Sequence, residues 1–491
     1  MIINKVTEIN SMNLLEASIE TLQEAMNSGS LTAVELTQYY LDRIATYDQL
    51  GPALNSIQTI NSAALEHATA LDEERSRQGA RSLLHGIPIL VKDNYETKGM
   101  PTTVGSVLFQ GYSPGRDAHL VAKLKDAGVV LLGKTTMQEF AYGITNVGSG
   151  HGFTRNPYDT TRNPGGSSGG TGAAVAANFA VTGLGSDTCG SIRIPAAQNN
   201  LVGLRGTQGL MSRRGIFPLS STQDIGGPLT KSVRDLAVML DQMIGYDAED
   251  IQTAESFGHN FQFLANLQTH EKVRIGLLRE WMEREEGDEA VAGVIREALT
   301  AMSEKAGWEI IELESAELEA SLDRPLEGYF VSAYDFKQDV NAYLQANPEM
   351  GFRDLEELLA LGKHHPKVDL RTQKSMAMRS DDEATYYREM AQRKVVRRAL
   401  LRLLAENNLD ALAYPSIRHV ANLIGEDQMG TNCRLAACSG VPAISVPAGF
   451  YGELPVGLEL LAEPWADQKL LDLAYTVESI HPQRRLPGST P

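Results

Sequence analysis

Between residues 143 and 209 glycine and serine crowd the chain, and no other stretch restricts the fold as strongly. A composition of this kind reads first as a flexible linker. Two apolar segments, residues 173–177 and 181–184, interrupt it at lengths that suit secondary structure. The expectation is therefore packed backbone with close approaches and unusual φ/ψ.

Around this stretch the pattern alternates. The first eighty residues read as helices, with Thr32 and Glu35 in capping-box spacing and Val34, Leu36, Tyr40, Leu41 and Ile44 at helical period. Residues 87–91 and 129–132 are short buried-strand patterns, joined by a helix over 120–126 that Gly128 ends. Residues 273–278 and 308–313 predict two more strands. A helix between them begins at Asp288 and closes at Gly307, giving a βαβ-like unit. Residues 320–405 are polar and helical. Strands return at 409–414, 442–446 and 455–461, before a last amphipathic helix carrying Leu470, Leu473, Ala474 and Val477. Alternation of this kind predicts an α/β fold, with no internal repeat and no linker long enough to separate independent domains.

A formal net charge of −18 argues against a nucleic-acid backbone as partner, because phosphate binding needs clustered cations. The three cysteines, Cys189, Cys433 and Cys438, form neither a disulfide framework nor a thiolate metal site, and a reducing compartment is expected. The polar start and the lack of a long apolar run predict a cytoplasmic protein without a membrane span.

Three segments carry residues suited to chemistry. The first is Gly86-Ile87-Pro88-Ile89-Leu90-Val91-Lys92-Asp93-Asn94. A lysine at a strand end is ordinarily a solvated cation. Drawn into an apolar, glycine-lined site, it sheds its proton and becomes a base, at a cost of roughly 4–5 kcal/mol. The second is Asn163-Pro164-Gly165-Gly166-Ser167-Ser168-Gly169-Gly170. It lacks the Gly-Lys-Ser/Thr of a phosphate loop. It matches the Gly-x-Ser-x-Gly of a nucleophile elbow, and it equally suits a turn whose serines cap a helix over 171–178. The third is Gly185-Ser186-Asp187-Thr188-Cys189-Gly190-Ser191-Ile192-Arg193-Ile194-Pro195. Small residues there allow several amides to face one concavity, as an oxyanion hole requires.

Together these segments resemble the amidase-signature family of serine hydrolases. So do Gly133-Lys134-Thr135-Thr136-Met137-Gln138-Glu139-Phe140, Gln223-Asp224-Ile225-Gly226-Gly227-Pro228 and Gly440-Val441-Pro442-Ala443-Ile444-Ser445-Val446-Pro447-Ala448-Gly449. Ser191 follows Ser167 by 24 residues, the family's spacing for its two catalytic serines. The resemblance covers nearly the whole chain. It implies one domain over residues 1–491, with a signature core at about 80–235, a helical substrate entrance at about 320–405, and a large mixed β-sheet covered by helices on both faces.

The resemblance also implies roles. Ser191 attacks an amide carbonyl, Ser167 relays the proton through a residue with a cis peptide on its N-terminal side, and neutral Lys92 is the final base. Amides of Thr188, Cys189, Gly190 and Ser191 hold the oxyanion; Asp187 and Arg193 brace the loop; Tyr142 and Gly143 contact the acyl group. The partner is a small-molecule amide, no cofactor or metal is called for, and a homodimer is allowed.

Two departures stand out. Cys189 replaces a glycine common in relatives and either narrows the pocket or fills a gap, the gap filler being the plainer reading, and Leu204-Arg205-Gly206-Thr207 replaces the usual Lys-Pro-Thr, which should alter a turn. The rival within the family is the glutaminase component of a tRNA-dependent amidotransferase. Against it, Ile194 stands where that component carries glutamine, and residues 329–344 are closer to peptide-amidase-like relatives. An α/β-hydrolase-type esterase using Ser167 would need a downstream histidine, and none of the six candidates, from His259 to His481, lies in such a signature.

Overall fold

The protein is described here by a computed structural model covering residues 8–9, 12–284, 288–323, 331–378 and 383–491. Eleven strands make one sheet. In chain order they are β1 (Ile57–Ile60), β2 (Pro88–Lys92), β3 (Val130–Thr135), β4 (Thr182–Asp187), β5 (Val202–Arg205) and β6 (Ile225–Thr230). Then come β7 (Arg274–Leu278), β8 (Glu309–Leu313), β9 (Ala411–Pro415), β10 (Ala443–Tyr451) and β11 (Leu454–Leu461). Across the sheet the order is β8-β7-β9-β11-β10-β5-β6-β4-β2-β3-β1. The β4-β2-β3 and β9-β7-β8 neighbours run parallel, while the centre and the β1 edge are antiparallel. The sheet is thus mixed, as expected.

Helices flank it: α1 (Ile19–Ser28), α2 (Ala33–Tyr47), α3 (Ala64–Gln78), α4 (His119–Ala127), α5 (Gly169–Ala176), α6 (Arg193–Gln198), α7 (Val233–Met243) and α8 (Glu289–Ala306). They are followed by α9 (Ala316–Asp323), α10 (Val331–Ala346), α11 (Leu355–Ala360), α12 (Asp369–Ala377), α13 (Glu383–Glu406), α14 (Arg434–Ser439) and α15 (Asp467–Ile480). Strand alternation sorts the two faces. In β9, Ala411 and Ala413 join the core that contains α1–α4, α7, α8 and α15, whereas Leu412 and Tyr414 join one with α9, α13 and α14. Side chains from α5 and α6 form a small core with Leu229 of β6. The middle helices α10–α12 pack Phe336, Val340, Leu355 and Val368 over a cluster with Phe109, Phe140, Tyr142 and Phe217.

The capping box at Thr32 and Glu35 is present, and Gly128 and Gly307 end α4 and α8 in the left-handed conformation. The βαβ unit is β7-α8-β8, with the strands parallel. Other expectations need correction. The first eighty residues are not wholly helical, because β1 pairs along the sheet edge with β3. Strands β5 and β6 escape the sequence pattern because glycines and a proline dilute their apolar residues. Asp288 precedes α8 without capping it; its carboxylate accepts from Arg284 N (2.7 Å) and Arg418 Nε (2.8 Å). The helix expected over 171–178 begins two residues earlier, and no serine side chain caps it. Of the 329–344 segment, residues 329 and 330 lie outside the described residues. No helix among the described residues is long and apolar enough to cross a membrane.

Candidate active site

Parallel pairing of β2 with β4 sets Leu90 opposite Gly183 and Val91 opposite Leu184, so the chain leaves both strands side by side at Lys92 and Ser186. The loop before α5 brings Ser167 and Ser168 to the same place. That approach is close: a side chain on Gly170 would put a Cβ 2.3 Å from the Thr136 carbonyl oxygen. Glycine is needed there because the helix start presses on backbone. The Gly166–Ser167 peptide is cis.

Lys92 is fully buried. Its Nζ lies 2.7 Å from Ser167 Oγ, 2.9 Å from Ser186 Oγ and 3.5 Å from the Ser186 carbonyl. No carboxylate touches it among the described residues. Lys134, equally buried, does have a carboxylate, Asp93 at 3.3 Å, and desolvation lowers it too, against the pull of that partner. Burial without a counter-charge disfavours the ammonium. Desolvation accordingly brings Lys92 down to about 7, against the opposing pull of Asp224 and Asp187. Ser168 faces elsewhere: its hydroxyl donates to the Ser186 carbonyl and accepts from the Ser186 amide, each at 3.2 Å. The lysine therefore reaches Ser167 and not its neighbour. No hydrogen bond joins Ser167 to Ser191 in this structure, and no histidine contacts either serine among the described residues.

After β4 the chain turns sharply through residues 188–191 into α6. Asp187, buried, accepts from the amides of Gly190 (2.8 Å) and Ile192 (3.1 Å), and it pairs with Arg193 (3.2 Å) and Arg205 (2.9 Å). These two cations hold its carboxyl far below the usual carboxylate range against the cost of burial. Asp187 and Arg193 thus brace the loop. The Gly190 amide, expected in the oxyanion hole, is taken by Asp187. The amides of Thr188, Cys189 and Ser191 meet no acceptor among the described residues. Arg205 does more than alter a turn: its Nη1 donates to the carbonyls of Asp187 (2.6 Å) and Thr188 (3.3 Å), and its Nη2 to that of Gln223 (2.7 Å). Thr188 donates its hydroxyl to Asp224, whose other oxygen accepts from the Leu219 and Ser220 amides.

Ser191, with Thr188, Cys189, Tyr142 and Gly143, lines a cavity of about 370 Å³. Ala141, Leu219, Ala333 and Leu370 supply apolar wall, and Arg371, Lys374 and Arg434 bring cationic groups. Tyr142 is held by its hydroxyl, 3.0 Å from Ser375 Oγ, and by its ring, 4.8 Å from that of Phe336. Cys433 lines the same cavity, and here an expectation fails: Cys189 and Cys433 are joined by a disulfide, with Cα atoms 5.1 Å apart. Cys189 is no gap filler. A pairing across 244 residues leaves no local trace in the sequence.

Sequence reasoning also passed over Ser186 and Asn94. Asn94 Nδ2 donates to Ser186 Oγ (3.0 Å) and so orients a hydroxyl on the lysine. Both residues lie inside the segments singled out, but neither spacing nor residue type marked them. Among the described residues no three His, Cys, Asp or Glu side chains come together as metal ligands.

Comparison with known proteins bears on this geometry. The family model described as Amidase matches residues 35–471. Native peptide amidase from Stenotrophomonas maltophilia superposes with a TM-score of 0.88 at 35% identity, over 97% of this chain and 99% of that one. The glutamyl-tRNA(Gln) amidotransferase A chain from Thermotoga maritima gives 0.75 at 28% identity, over 98% of each chain. Its counterpart from Streptomyces avermitilis is 34% identical to this chain, over 96% of each.

Proposed function

This chain belongs to the amidase (amidase-signature) family, and on that premise we propose that Ser191, Ser167 and Lys92 carry out its chemistry. It is a hydrolase of carboxylic amide C–N bonds. Ser191 Oγ attacks the carbonyl carbon of an amide seated in the cavity, its proton passes to Ser167, and the Ser167 proton passes to neutral Lys92. Negative charge on the carbonyl oxygen is met by the amides of Thr188, Cys189 and Ser191, which meet no acceptor among the described residues. The lysine then returns its proton, through Ser167, to the departing nitrogen. Water attacks the Ser191 ester by the same relay in reverse, releasing the acid. The link from Ser167 to Ser191 has to close when substrate binds, as catalytic hydrogen bonds commonly do. The observation that carries this reading is the buried lysine 2.7 Å from Ser167 with no carboxylate against it among the described residues.

The substrate is an amide whose acyl group fills the largely apolar space beside Tyr142 and Gly143, and a peptide amide is the class we favour. The greater likeness to peptide amidase than to the Thermotoga amidotransferase chain supports it, TM-score 0.88 against 0.75. So does Ile194, an apolar residue packed against Ile144 and Ala197, at the position where the family resemblance puts glutamine in the amidotransferase component. The second reading, a glutaminase component working with partners, has in its favour amidotransferase relatives at 31–34% identity. One domain over residues 1–491 completes the reading. The disulfide stands against the cytoplasmic location that the sequence suggests, since cytosolic thiol pools keep most cysteines reduced. Hydrolysis of a panel of peptide, aryl and alkyl amides and glutamine, by the purified chain and by Ser191→Ala, decides between the two. Peptide-amide turnover that the substitution abolishes is the expected result. Turnover undiminished in Ser191→Ala would refute the nucleophile, and glutamine as sole substrate would favour the amidotransferase reading.

A further inference from the structure

Residues 188–191 owe their shape to tethers of two kinds. Thr188 is held by its hydroxyl on Asp224 and its carbonyl on Arg205, Gly190 by its amide on Asp187, and Ser191 by its carbonyl, which accepts from the Ser168 amide at 3.3 Å. Cys189 has no such bond among the described residues. Its tether is sulfur: the disulfide to Cys433, which sits just before α14 and also lines the cavity. Cys433 is itself fixed, its carbonyl accepting from Arg193 Nη2 (3.4 Å) and its amide donating to Thr431 Oγ1 (3.3 Å). Loop and wall are in contact at this point. Gly190 has φ +92°, and a Cβ there would stand 2.8 Å from Cys433 Cβ.

We infer that the Cys189–Cys433 disulfide positions the oxyanion loop, so that full turnover belongs to the oxidised enzyme. The inference rests on residues 188–191 being the oxyanion loop. The Cys189 amide is one of three loop donors that meet no acceptor among the described residues, and it belongs to the loop residue that polar bonds there leave unheld. Loss of one oxyanion donor costs about 10²–10³-fold in kcat elsewhere, and a donor that is merely loosened should cost a fraction of that. Both cysteines line the cavity, but Tyr142 is held by Ser375 and Phe336 and not by the bridge, so KM should move little. A dithiol reductant cleaves the S–S bond by passing two electrons and two protons to the sulfurs, leaving two thiols while the reductant closes to its own cyclic disulfide. Cys438 does not compete, because burial pushes its thiol up to about 11.

The test uses the full-length protein, oxidised and after dithiothreitol. Thiol titration under denaturing conditions should rise from one thiol, that of Cys438, to three. On the best amide substrate kcat should fall about tenfold or more with KM within about twofold. Hydrogen exchange of residues 188–191 should quicken while the sheet is unchanged, and both effects should reverse on reoxidation. The double variant Cys189→Ser/Cys433→Ser should show the low kcat without reductant and ignore its addition. Three titratable thiols with unaltered kcat and unaltered exchange would overturn the inference. So would a general rise in exchange, which marks lost stability and not a loosened loop. If the oxidised chain turns over no amide, the catalytic reading fails, and exchange alone decides the tether: local quickening upholds it and no change overturns it.

Discussion

Lys92 costs the fold stability that the chemistry needs. In the unfolded chain the lysine is a solvated ammonium near 10.5; in the folded protein desolvation lowers it to about 7. A base whose folded value is depressed weighs most heavily below that value, and the penalty is relieved as pH rises from about 7 towards 10.5. Below pH 7 it amounts to roughly 4–5 kcal/mol. The same titration governs activity, since only the neutral amine accepts the Ser167 proton. Two outcomes are expected of one experiment. The wild-type kcat/KM should rise with pH through about 7 and level off above it. Lys92→Met, inactive throughout, should melt at a higher temperature than wild type below pH 7, with the gap narrowing as pH climbs to 10. A pH-independent rate with chemistry limiting, or a variant less stable than wild type at pH 6, would contradict a neutral lysine.

At the scale of elements, the site is made where strands end and loops are stitched to them. Arg205, the last residue of β5, spans three carbonyls with one planar fork and so ties the oxyanion loop to the segment that carries Gln223 and Asp224. A lysine cannot reproduce that fork. Arg205→Lys should lower kcat about tenfold with KM within twofold, and Arg205→Met should lower it further; steady-state kinetics on one amide reads the split. Loss confined to KM would place Arg205 in substrate binding instead. The same elements show what a single sequence can disclose. Lys92, Ser167 and Ser191 were legible because each sits in a dense local pattern, and β2, β3, β10 and β11 because apolar runs have a strand's length. Strands β5 and β6 were not, since their glycines are placed to accept neighbouring backbone and side chains instead of to signal a strand. Arg205 and Cys433 act on partners far along the chain, and such pairings exist only once the sheet has been ordered. The Gly190 amide was misassigned for a related reason: its partner, Asp187, is three residues away, but the turn that joins them is set by φ and not by composition.

For the whole molecule, the two ends of the chain converge behind Ser167 and Ser168, which precede α5. α5, which begins just after Ser167 and Ser168, finishes with carbonyls at Ala176, Ala177 and Asn178 that no further helical turn satisfies. Arg43 of α2, buried, donates to Ala177 (3.0 Å) and Asn178 (3.0 Å) and to the carbonyls of Thr490 (2.8 Å) and Pro491 (3.2 Å). Arg484, beyond α15, donates to Ala176 (3.0 Å) and Asn200 (3.1 Å) and pairs with Glu16 (2.8 Å). Two guanidinium groups from opposite ends of the chain therefore close the C-terminus of the helix whose N-terminus presents the relay serine. Removing Arg43 would strand four buried or half-buried carbonyls around one hole. Each lost partner costs about 1 kcal/mol or more, so Arg43→Ala should destabilise by about 3–4 kcal/mol. The expected signs are a lower Tm and a C-terminal tail from about residue 484 that proteases reach first. Because the clasp lies behind α5 and not in the cavity, KM should stay within twofold at temperatures where the variant is folded. An Arg43→Ala protein that keeps its Tm and its tail would show that the C-terminal segment is held by its other contacts, Tyr158 and Asn200 among them.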